Sequence, residues 1–184
     1  IPWDPFADLT SVRKSIELAK KYASKATDKE RRYIDACVAF YNRRYETADD
    51  LASDFVKRYP NDKEGTFLLG NISLFTGKYD KSIEAVGRTL EIDPTYANAY
   101  NQLAYAYSWF YEHEKAISTI KKYLALQPDV WNPYDSAYDI YMNAGRYDDA
   151  LQACQDALKQ NPSWASSHSF DLYQGYIHLF KGEV

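Results

Sequence analysis

Asp135 and Asp139 stand four residues apart in a stretch of helical periodicity, so their carboxylates share one helix face and could hold a cation between them. A hard cation needs six or more oxygens, and no further ligands are spaced around the pair, so a solvated acidic face is the expected state. The histidines are His113, His168 and His178; the last two are ten residues apart, neither i+3 nor i+4, and none keeps metal spacing with Cys or carboxylate. Cys37 and Cys154 lie far apart along the chain, which points to two reduced thiols rather than a bridge. There is no G-x-S-x-G, no P-loop, no dinucleotide fingerprint and no plausible Cys/His pair. The expectation is a protein that is not an enzyme and carries no cofactor and no metal.

The totals narrow the partners. Hydrophobic content of 46% can build a core, and a net charge of −4 lacks the basic footprint that nucleic acid or an anionic membrane requires. No apolar run approaches the roughly 18 residues of a membrane span. The chain starts at Ile1 without Met and reads as a fragment, which puts any targeting signal out of view. The thiols favour a reducing, cytoplasmic setting.

The elements that must position these residues repeat. Pro60, Pro94, Pro128 and Pro162 recur every 34 residues, the kind of period that marks a solenoid. The segment 63–96 reads as two amphipathic helices joined at Gly77 and closed by Pro94. Four such units are expected, over 29–62, 63–96, 97–130 and 131–164, each with a first helix of about 14 residues and a second of about 14. Ala48, Ser82, Ala116 and Ala150 share one unit position, where a close helix crossing demands a small side chain. Ala36, Gly70 and Ala104 share another, but Tyr138 takes that place in the fourth unit, whose packing should therefore differ. Gly77 and Gly145 mark turns two periods apart, supplying a left-handed residue past a helix end.

Residues 1–28 read as a lead-in followed by a capping helix, with Thr27 and Glu30 in capping-box spacing for the helix after it. Past Trp164 the register slips, because Gly182 follows Gly145 by 37 residues. We read Ala165–Ser167 as an insertion and His168–Lys181 as the first helix of an incomplete fifth unit over 165–184. A half hairpin should expose an apolar face, so restoring a native continuation should raise the melting temperature.

These positions resemble the tetratricopeptide repeat (TPR) family, whose 34-residue pattern is W-x2-L-G-x2-Y, A-x3-F, P. The second unit matches at Leu69, Gly70, Ser82, Val86 and Pro94. The third matches at Tyr100, Leu103, Ala104, Tyr107, Ala116, Ile120 and Pro128, and the fourth at Tyr134, Tyr141, Gly145, Ala150, Cys154, Ala157 and Pro162. The first is weakest, with Arg32 and Asp35 where apolar residues are usual. The segment ELAKKYASKATDKERRYIDA is similar to the entry of TPR regions attached to bacterial signalling proteins such as kinases and cyclases. The resemblance implies an all-α fold, a TPR-type α-solenoid of antiparallel hairpins forming part of a right-handed superhelix.

It also implies that the first helix of each unit lines a concave groove. The inward positions include Asn71, Asn98, Asn101, Gln102, Tyr105, Trp109, Asp135, Asp139 and Asn143. Amides can bind a peptide main chain through donor and acceptor together, and Tyr105 and Trp109 would add rigid apolar contacts. Ile34, Phe40, Leu68 and Leu74, also inward, read instead as packing between helices. No Lys or Arg stands among these positions, which disfavours the acidic chaperone tails that basic TPR grooves grip. The expected function is a protein–protein interaction scaffold taking a neutral or basic peptide or helix. Self-association as a homo-oligomer, and a small-ligand pocket regulating an attached signalling enzyme, are the alternatives.

Overall fold

The computed structural model describes residues 25–183 together with Lys14, Glu17, Leu18, Lys21 and Tyr22. The lead-in and capping helix expected over 1–28 fall largely outside the described residues. Among those described there is no strand, and the fold is all-α as expected. The chain divides into two compact units, Ile1–Pro94 and Thr95–Val184.

The first unit holds two antiparallel hairpins, α1 (Asp28–Tyr41) with α2 (Tyr45–Arg58) and α3 (Lys63–Phe75) with α4 (Tyr79–Ile92). Thr27 starts α1 through a complete capping box with Glu30. Asp62 starts α3 by accepting the Gly65 N–H at 2.8 Å. At the crossing of α3 and α4, Ser82 sits fully buried and its hydroxyl donates to the Gly70 carbonyl at 2.9 Å. The core runs through Ala36, Ala48, Ala52, Leu68, Leu69 and Ile72. Leu68 and Leu74 are buried and Phe40 meets Phe75 edge-on, so these residues pack as read from the sequence.

The second unit pairs α5 (Ala97–Trp109) with α6 (His113–Leu126) and α7 (Asn132–Asn143) with α8 (Tyr147–Gln160). A single turn, α9 (Trp164–Ser167), and a final helix, α10 (Phe170–Lys181), follow. Ser169, at φ +63°, makes the break between them. Phe170 and Ile177 bury α10 beside α8, while Leu172, Leu179 and Phe180 stay exposed. The large Tyr138 stacks face to face on Tyr173 of α10, ring centroids 4.2 Å apart.

One turn serves all four hairpins. Arg43, Gly77, Tyr111 and Gly145 each take a left-handed φ, from +59° to +73°, at 34-residue intervals. The amide one residue later reaches back five residues, as in Arg44 to Ala39, Lys78 to Ser73, Glu112 to Tyr107 and Arg146 to Tyr141, at 2.8–2.9 Å. This is the Schellman closure, which satisfies carbonyls left over at a helix end. Each second helix then ends two residues before its proline, which cannot continue the ladder.

Candidate functional site

Four helices of the second unit, α5, α6, α7 and α10, meet around the predicted residues. Helical spacing places Asn101, Tyr105 and Trp109 on one stripe of α5, and Asp135 and Asp139 on one stripe of α7. The two stripes bond directly: the Tyr105 hydroxyl donates to Asp139 Oδ2 at 2.9 Å. One turn earlier the Asn101 amide approaches Asn132 Oδ1 at 3.5 Å, and the Tyr123 hydroxyl of α6 donates to that same oxygen at 2.8 Å. One turn later Asn143 lies 3.4 Å from the Ser108 hydroxyl. On the other side of α7, the Tyr173 hydroxyl donates to Asp135 Oδ1 at 2.9 Å. The carboxylates therefore tie α7 to both neighbours, one to each.

This corrects the expectation of a solvated acidic face. Asp135 and Asp139 are half-buried, and among the described residues no Lys, Arg or His forms an ion pair with either. Burial pushes Asp139 up to about 6; the Asp135 charge adds to that rise and the Tyr105 hydroxyl opposes it. Burial likewise raises Asp135, against the Tyr173 hydroxyl. The same surroundings hold the Tyr105 and Tyr173 phenols far above their ordinary range. Trp109 remains 42% exposed beside Tyr105, ring centroids 5.8 Å apart.

The other predicted residues are dispersed. Asn98 is exposed on the first turn of α5. Gln102 is only 5% exposed and its side-chain amide is closed off from solvent. Asn71 is half-buried on α3, in the first unit. Tyr173 escapes sequence reasoning, because the register slips past Trp164 and it meets Asp135 at a spacing of 38 residues rather than the repeat's 34. Cys37 is half-buried and Cys154 buried, both free, and burial raises each thiol, to about 11 and about 12. Among the described residues no group of three or more His, Cys, Asp or Glu is placed to hold a metal, and no helix is long and apolar enough to cross a membrane.

The fold defines a class: helical hairpins stacked within each unit so that the second helix of one packs on the first helix of the next, with the polar seam between the first helices of the second unit. The sequence matches the tetratricopeptide repeat family over residues 35–97 and 139–184, and the chain belongs to that family. It is 28% identical over 94 residues, 51% of its length, to small glutamine-rich tetratricopeptide repeat-containing protein 2 of Mycosarcoma maydis, and covers 27% of that protein. It is 24% identical over 113 residues, 61% of its length, to anaphase-promoting complex subunit 3 of Schizosaccharomyces pombe, covering 17% of it. The chain thus spans less than a third of these relatives. Among solved structures, a thermophilic TPR protein of Thermus thermophilus superposes with TM-score 0.72 at 20% identity, over 89% of either chain. MamA superposes with TM-score 0.69 at 21% identity, over 89% of this chain and 98% of its own. At such identities the likeness is one of fold.

Proposed function

We propose that this chain is a protein-interaction scaffold whose second unit receives a peptide or helix with a basic side chain along the α5/α7 seam. The observation that carries this reading is the pair Asp135 and Asp139: two half-buried carboxylates whose partners among the described residues are tyrosine hydroxyls, beside the exposed ring of Trp109. A lysine or arginine placed there would neutralise a charge whose burial is otherwise costly, and could lie against the indole face. Asn98 and Asn143, exposed at the two ends of the seam, could take the main chain of an extended segment. The family supports a scaffold rather than a catalyst, and two relatives bear the names of a repeat protein and of a subunit of a complex.

The test is fluorescence anisotropy with two labelled twelve-residue peptides of one apolar pattern, one carrying lysine and arginine, the other glutamate. The basic peptide should bind, weaken as salt rises, and weaken again with Asp139→Asn. Equal binding of the two peptides would remove the seam from consideration. Self-association is the competing reading, favoured by Leu172, Leu179 and Phe180 standing exposed on α10. Sedimentation velocity over a concentration series separates it, since only that reading requires a mass that grows with concentration.

A further inference from the structure

We propose that Asp135 and Asp139 form a proton-operated clasp, in which one proton taken up by the pair on mild acidification relieves the cost of holding two like charges in the packing of α7 against α5 and α10. The geometry carries it. The two carboxylates lie one helical turn apart on α7, and each is the acceptor for a hydroxyl from a different neighbouring helix. Two like charges held that close, both half-buried, are better satisfied when one is neutral.

Among the described residues no cation forms an ion pair with either carboxylate. The titratable groups facing it are Tyr105 from α5, Tyr138 on α7 itself, Cys154 from α8 and Tyr173 from α10. From α6 comes Tyr123, whose hydroxyl is committed to Asn132. Among the described residues Arg146 pairs with Asp149, Lys159 with Asp156, and Lys181 with Asp148 and Glu183.

The direction follows from linkage. A carboxyl whose folded value is raised contributes stability that is complete below its unfolded value, 3.8, and is lost as pH rises through about 6. Lowering pH from roughly 7.5 to roughly 5 should therefore raise the folded-to-unfolded ratio about ten-fold. Carboxylates held below their ordinary values, such as Asp49 and Glu183, titrate under that window and do not blur it.

The experiment is urea unfolding of the 184-residue chain across that pH range, followed by tryptophan fluorescence, since Trp109, Trp131 and Trp164 all lie in the second unit. A carbon-13 titration of the Asp139 carboxyl accompanies it. The expected result is a midpoint that climbs as pH falls, abolished by Asp139→Asn, with the variant at least as stable as the parent near neutrality. A carboxylate serving only as a hydrogen-bond acceptor would instead make Asp139→Asn weaker by one factor at every pH. Tyr105→Phe, which removes a donor that favours the charged form, should steepen the profile. A flat profile in the parent overturns the clasp, as does an Asp139 midpoint near the ordinary carboxylate value, which is readable even if no variant folds. The clasp stands independently of peptide binding, because no ligand enters the measurement.

Discussion

Tyr111 holds φ +62° at the α5–α6 turn, the same left-handed conformation that Gly145 holds at +69° one repeat later. A residue with a Cβ pays about 1–2 kcal/mol there, whereas glycine loses only its greater unfolded freedom, about 0.5–1 kcal/mol. Tyr111 is 84% exposed, and its edge contact with His113 at 6.1 Å recovers little. Tyr111→Gly should therefore stabilise the chain by roughly 0.5–1 kcal/mol, seen as a raised urea midpoint. Gly145→Ala should move it the other way by about 1 kcal/mol.

That turn illustrates what was legible in the sequence. Gly77 and Gly145 announced left-handed residues because glycine favours them, and the 34-residue prolines fixed where the second helices stop. Arg43 and Tyr111 carried no such mark, yet adopt the same conformation because packing on both sides of the turn imposes it. The candidate seam was half legible. Period placed Tyr105 and Asp139 on facing stripes, but whether a carboxylate is wet or buried depends on what the next helix lays over it, and Tyr173 comes from the slipped register.

Gly65 was invisible for a related reason, since nothing local explains a glycine in the first turn of α3. In place, a methyl there would overlap ring carbons of Phe55, itself 1% exposed on α2. Helix propensity alone predicts a gain of about 1 kcal/mol for Gly65→Ala. Overpacking a buried ring costs about 1–3 kcal/mol and should win. The expected outcome is a net loss of stability in urea unfolding; a gain would mean that α2 and α3 separate easily.

In the first unit a buried acid meets the opposite fate from Asp139. Asp49 on α2 is 7% exposed and takes Lys81 at 2.7 Å and Lys78 at 2.9 Å. Burial pushes its carboxyl up, but the two lysines together bring it below the usual value. Its stabilisation is therefore present above 3.8 and fades as pH falls through the folded value. Because both lysines are partly exposed, Asp49→Asn should cost only about 1–2 kcal/mol near neutrality, with the deficit shrinking under acid. Matched unfolding curves near neutral pH and at about pH 3 would measure that difference.

Trp109 and Asp139 make separable contributions if a cationic side chain lies between them. Removing the indole leaves the carboxylate in place, so Trp109→Ala should weaken the basic peptide about ten-fold at any pH. The proton behaves differently. Free Asp139 sits near 6, and a bound cation would lower that value, so binding should release a proton and strengthen as pH rises. Between roughly pH 5 and pH 7.5 the affinity should climb by up to about ten-fold, and Asp139→Asn should flatten the climb while Trp109→Ala leaves its slope intact. Anisotropy titrations across pH with both variants read the two effects apart. A slope that survives Asp139→Asn would place the cation against another group.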